Sequence, residues 1–121
     1  MTAERLRRYR EGLWAETAAA WRLRLKGYRI LARRFKTSVG EIDLVALRGK
    51  TLVFVEVKRR ASHDEALFAV TPKAQKRIAR AAELYRSRHP KLSGHAVRFD
   101  IVAVTPLFRI IHLDNAFRGP A

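Results

Sequence analysis

Asp43 and Glu56, with Lys58 two residues further on, are the groups that could do chemistry in the stretch "GEIDLVALRGKTLVFVEVKRR", residues 40–60 of a strongly basic chain. Each acid lies in an apolar, β-branched run, where a buried sheet gains nothing from charge. "RGK" between the runs is a hairpin signal. With Gly49 and Lys50 as a two-residue turn, Arg48 pairs with Thr51 and, counting outward, Asp43 with Glu56. Strand alternation then places Asp43, Val45 and Leu47 on one face with Leu52, Phe54, Glu56 and Lys58, and Ile42, Leu44, Ala46, Val53, Val55 and Val57 on the other. Two carboxylates about 4 Å apart repel by roughly 4 kcal/mol at an effective dielectric of 20, so a cation should accompany them. Lys58 supplies one charge and a divalent metal could supply the rest, because Mg²⁺ needs only one or two carboxylates beside waters and phosphate oxygens. Such a set suits phosphodiester hydrolysis, the lysine positioning the nucleophile or neutralising charge in the transition state. The competing reading is an ordinary cross-strand ion pair at the rim of a sheet. Glu41 is read as a loop or solvent acid.

The elements that must position these groups follow from the flanking sequence. Residues 11–26 predict a helix with Trp14, Ala18, Trp21 and Leu25 on its core face and Gly27 as its stop. Leu13, Ala20 and Leu23 form a second strip, with Glu16 inside it. Trp14 and Trp21 are read as core rather than as base-stacking platforms. A first strand is expected near 28–36, and both hairpin strands, apolar on each face, should be central and covered on both sides. "RRASHDEAL" reads as a polar connection. Thr71-Pro72 then opens a helix that ends near Arg88, with Ala74, Ile78, Ala82 and Tyr85 inward and Lys73, Lys76, Arg77, Arg80 and Arg86 outward. "HAVRFDIVAV" and "FRIIHL" are two more strands, and the tail "DNAFRGPA" is expected to be weakly ordered. The order is an α/β sandwich around a mixed sheet.

At 121 residues the chain is one domain's worth. Its 26 Lys plus Arg against 11 Asp plus Glu give a net charge of +15, which predicts a polyanionic partner, nucleic acid first among them. No segment is long and apolar enough for a bilayer, and the arginine-rich start lacks a signal-peptide apolar core. Zero cysteines exclude disulfides and thiolate zinc. A soluble, cytoplasmic protein without a membrane role is the expectation. His63, His89, His95 and His112 show no ligand spacing and are read as bystanders. Asp100 is read as structural, paired with Arg98 or a neighbouring strand.

"GEIDLVAL" followed by "LVFVEVKRR", together with "AETAAAWRLRLKGYRIL", "RFDIVAV" and "IIHLDNAF", resembles the YraN-like family of bacterial proteins. That family belongs to the restriction-endonuclease-like, or PD-(D/E)xK, nucleases and is similar to the archaeal Holliday-junction resolvases. The resemblance implies a restriction-endonuclease-like three-layer sandwich over residues 1–121, and a metal-dependent endonuclease acting on DNA, branched or structured DNA included. It implies Mg²⁺ or Mn²⁺ held by Glu16, Asp43, Glu56 and the main-chain carbonyl of Val57, with Lys58 as the motif's lysine. Ala15 stands where the family often has glycine, and Ile42 where the named motif has proline. Lys73 and Lys76 both remain candidates for a further lysine at the start of the second helix. Arg33, Arg34 and Lys36, Arg59 and Arg60, and Lys73 and Lys76 are the expected phosphate-holding groups. Two cuts in a symmetric junction would call for a homodimer. The alternative is a DNA- or RNA-binding module that keeps the fold without cutting.

Overall fold

The computed structural model describes residues 2–119. Helix α1 (Ala3–Leu25) leads into strands β1 (Arg29–Lys36), β2 (Glu41–Arg48) and β3 (Thr51–Arg59). Helices α2 (His63–Ala69) and α3 (Pro72–Ser87) follow, then β4 (Ala96–Val104) and β5 (Ile110–Phe117). The five strands form one sheet in the order β1-β2-β3-β4-β5. Only β3 and β4 run parallel; the other neighbours are antiparallel. This is an α/β three-layer sandwich with a central mixed sheet.

Gly49, at a φ of 59°, makes the two-residue turn, and Arg48 pairs with Thr51 as the spacing predicts. On one face Val45, Leu52 and Phe54 pack with Ala66 of α2 and Ile78, Ala82 and Tyr85 of α3. On the other, Leu44, Ala46, Val53 and Val55 pack with Ala19, Ala20 and Leu23 of α1. The hairpin strands are therefore central, as their two apolar faces require.

The face that α1 buries is Ala15, Glu16, Ala19, Ala20 and Leu23, not the Trp14, Ala18, Trp21 and Leu25 stripe. Trp14, Trp21 and Leu25 are 49%, 59% and 79% exposed. The sheet beneath is already filled with β-branched and leucine side chains, so a helix approaches it through small residues, and an indole has no room. Residues 61–69 are not a polar loop either: Ser62 caps α2 by accepting the Glu65 N–H at 3.2 Å. The tail also differs from expectation over 114–117, which continue β5 and bury Phe117 against Phe99. Residues 120 and 121 of that tail lie outside the described residues. No helix among the described residues is long and apolar enough to cross a membrane.

Candidate active site

The site begins where β2 and β3 part. Their backbone register runs from Arg48–Thr51 to Leu44–Val55, one residue short of the Asp43–Glu56 pair that strand counting gives. Beyond it the Asp43 carboxylate replaces the ladder, its Oδ2 accepting the Val57 N–H at 2.7 Å. Ile42 accordingly packs in the cluster under α3 rather than on the α1 face its parity assigns. A backbone that would otherwise carry only sheet bonds here presents a carboxylate, fixed in orientation by that bond.

Glu56 meets Asp43 from the α3 side. Burial first, then a hydrogen bond to Asp43 and Asp43's negative charge, push the Glu56 carboxyl from its ordinary value near 4.5 up to about 9, with Lys58 pulling the other way. Glu16 comes from the α1 side, 8% exposed. Burial raises its pKa, Asp43's charge adds to this, and Arg34 and Arg33 oppose it. Its Oε2 stands 3.6 Å from the Arg34 Nε, while its Oε1 is buried with no hydrogen-bond partner. Asp43 thus sits between two acids on opposite sides of the sheet.

Among the described residues no three His, Asp or Glu side chains form a ready-made metal-binding group. The donor set nonetheless fits a hard divalent cation: two carboxylates in contact, a third within range of Asp43's charge, and one orphaned buried carboxylate oxygen. All are oxygen donors, and Mg²⁺ completes its shell with waters and phosphate. Asp43, Glu56 and Glu16 would hold the ion, with the Val57 carbonyl as the adjoining main-chain oxygen.

Glu56 opens onto a cleft of about 320 Å³, lined also by Gly40, Glu41, Thr71, Lys73, Ala74, Arg77 and Ile78. Of the two candidate helix lysines, Lys73 lines this cleft; Lys76 is exposed further along α3. Glu41 also lines the cleft and is exposed, a solvent acid as read, and its charge is the smallest of the contributions that raise Glu16 and Glu56. Arg77 is a cleft group that the local reading placed only on an outer cationic face. Gly40 is required there: a Cβ would stand 2.5 Å from the Arg77 carbonyl oxygen. Gly40→Ala is expected to cost about 1–3 kcal/mol in a urea melt, because β2 and α3 must move apart.

The remaining basic residues are more engaged than a free phosphate-binding rim would be. Arg33 donates to the Thr17 hydroxyl at 2.9 Å, and Arg34 also lies over the Tyr9 ring. Arg59 is ion-paired with Glu11, and Arg60 donates to the Arg59 carbonyl at 2.7 Å. Lys36 is exposed at the end of β1. His112 is not a bystander: its Nε2 lies 2.6 Å from the Asp100 carboxylate, buried between β4 and β5. Asp100 is structural, as read, and pairs with Arg98.

The Glu56 shift fixes the sign of a pH effect. With its pKa higher folded than unfolded, its contribution to stability is full below about pH 4.5 and is lost as pH rises toward 9. In EDTA, urea melts should show the parent losing more stability between pH 5.5 and 8.5 than Glu56→Gln. Equal slopes would mean that burial and Asp43 do not raise the Glu56 carboxyl as described.

A family model described as "Uncharacterised protein family UPF0102" matches residues 15–104. A UPF0102 protein of Rhodopseudomonas palustris is 51% identical over 113 residues, covering 93% of this chain and 87% of the relative. One from Chelativorans is 50% identical over 113 residues, 93% of this chain and 91% of that protein. One from Mesorhizobium japonicum is 48% identical over 118 residues, 98% of this chain and 94% of its own length.

Proposed function

Since the chain belongs to the uncharacterised protein family UPF0102, its activity has to be read from its own site, and we propose that it is a metal-dependent endonuclease acting on DNA, branched or structured DNA in particular, within the cytoplasm. The observation that carries this reading is the meeting of the Asp43 and Glu56 carboxyls, with Lys58 in range of their charge, where Glu56 lines a cleft with Lys73 and Arg77. Acids gathered inside a +15 chain cost stability, and a site that must hold a cation and a phosphate together gives them a purpose.

Asp43, Glu56 and Glu16, with the Val57 carbonyl, would hold Mg²⁺ or Mn²⁺. A bound ion would supply a water of lowered pKa and neutralise charge on the scissile phosphate. Asp43 is held in place by the Val57 N–H, so its carboxylate needs no reorganisation. Lys58, whose charge already favours ionised Glu56, orients the attacking water or offsets the charge developing on phosphate. Lys73 and Arg77 at the cleft, and Lys36, Lys76 and the arginines around it, draw in the backbone without reading bases. A homodimer would deliver the paired cuts of a symmetric junction.

The test is cleavage of labelled four-way junction, flap, single-stranded and duplex DNA in Mg²⁺, Mn²⁺ or EDTA. Cutting in metal and none in EDTA is expected, with the preferred substrate naming the type. Tight, salt-sensitive binding across the panel without cutting in either metal would overturn the reading in favour of a non-catalytic DNA- or RNA-binding module.

A further inference from the structure

A second and larger cleft, of about 710 Å³, opens at the carboxyl ends of the parallel pair β3 and β4, lined by Trp14, Arg59, Arg60, Val104, Pro106 and Leu107. Its volume is that of a small-molecule site, and the carboxyl ends of parallel strands are where open α/β sheets take their ligands. Three features define what would fit. Trp14 lines it, its indole 49% exposed and in reach of a ligand in the cleft. Leu107 stands at its rim 94% exposed, in a left-handed conformation with φ 68°, in a turn closed by Thr105 on the Arg109 carbonyl. A bulky apolar residue in the left-handed region and turned to solvent is strained. Arg59 and Arg60 add two guanidinium groups to this apolar wall.

Flat apolar surface beside guanidinium is the chemistry that takes a base and its phosphates together. The cleft also adjoins the acidic site along β3: Arg59 and Arg60 directly follow Lys58, and roughly 13 Å of strand separates Glu56 from Arg60, the reach of a few nucleotides. We propose that this cleft seats an unpaired nucleotide of the nucleic-acid strand that enters the acidic site, its base on Trp14 and its phosphates on Arg59 and Arg60. The inference rests on the nuclease reading for the choice of strand. Within a duplex both faces of a base are covered by its neighbours, so stacking on Trp14 requires a base that has left the stack. Glu11, which also lines the cleft, pairs with Arg59. Both partners are solvent-accessible, and such a pair contributes little that an incoming phosphate would have to replace.

The measurement is fluorescence anisotropy of full-length protein in EDTA, where nothing is cut, with a labelled single-stranded oligonucleotide and a blunt duplex of the same sequence. Trp14→Ala should weaken single-strand binding about tenfold and leave duplex binding unchanged, while Trp14→Phe keeps most of the parent's single-strand affinity. Trp14→Ala binding single strand as the parent does, or losing single strand and duplex alike, would overturn the proposal. The two readings fail separately. Trp14-dependent binding by a protein that never cuts removes the nuclease and leaves this site, whereas metal-dependent cutting with unchanged Trp14→Ala binding does the reverse.

Discussion

Asp43→Asn is expected to give a folded protein whose metal-dependent cleavage falls at least about a thousandfold, the scale on which losing a group that organises charge at the reacting phosphate is felt. Asparagine is the informative choice because of what Asp43 does besides carrying charge. Its Oδ2 accepts the Val57 N–H at 2.7 Å, where the β2–β3 ladder has stopped. Alanine would leave that N–H without its acceptor, at about 1–3 kcal/mol, and lost activity could then follow from lost structure. Asparagine retains an acceptor oxygen and removes only the charge. It also removes the charge that opposes Glu56, so the variant's Glu56 should ionise at a lower pH. In EDTA at neutral pH the variant should therefore be at least as stable as the parent. Stability retained with activity gone is the signature of a site that trades stability for function. An Asn variant that cuts within tenfold of the parent would remove Asp43 from the chemistry.

How much of this was legible depended on whether the signal was local. The hairpin could be counted from Gly49 and Lys50 alone, because a two-residue turn fixes the pairing. The count brings Asp43 near Glu56 and Lys58, but it does not reveal that the ladder stops at Leu44–Val55 and that the Asp43 carboxylate takes its place on the Val57 N–H. Thr71-Pro72 likewise announced α3, and the structure has the Thr71 hydroxyl accepting the Ala74 N–H at 3.2 Å. For α1 the sequence carries two apolar stripes. Weighting by side-chain size selects the tryptophans, whereas a packed β-branched sheet selects the alanines. The same choice decides Glu16, which enters the site only because the alanine stripe is the inward one. Helix α2 had a local signal that was passed over, since Ser62 and Glu65 have the Ser-x-x-Glu spacing of a capped start. Arg77's place in the site had no local mark, because it depends on β2 lying close enough to α3 for Gly40 to be obligatory. The Asp100 and His112 contact is of that second kind, made by strand pairing across twelve residues.

That contact carries the largest stability effect expected in the molecule. Asp100 is fully buried, and both oxygens are used: Oδ1 accepts from the Arg98 Nε at 2.8 Å and the Asn115 N–H at 2.9 Å, while Oδ2 faces the Arg98 Nη2 at 2.8 Å and the His112 Nε2 at 2.6 Å. Arg98 goes on to the Tyr28 hydroxyl at 2.5 Å, and Lys26 reaches the His112 Nδ1 at 2.6 Å. One carboxylate thus ties β4 and β5 to the turn between α1 and β1. Burial alone would raise its pKa, but His112, Arg98 and the Asn115 N–H outweigh burial and hold it below the ordinary carboxylate range. Replacing one partner of such a cluster leaves a guanidinium, 19% exposed, without its counter-charge, and the cost of that is about 3–5 kcal/mol. Against a total of about 5–15 kcal/mol for a domain, Asp100→Asn should lose about a fifth or more of its stability in urea at pH 7. The sign with pH is opposite to that of Glu56. A depressed folded pKa gives stability that is present above the unfolded value near 3.9 and is lost as pH falls through the folded one. The difference between parent and Asp100→Asn should therefore be constant from pH 7 to about 5 and shrink in acid. A loss under about 1 kcal/mol at pH 7, or a difference that does not shrink in acid, would mean that Asp100 is not the ionised centre of the network, and that β5 is held by the apolar stacking of Phe99 on Phe117 instead.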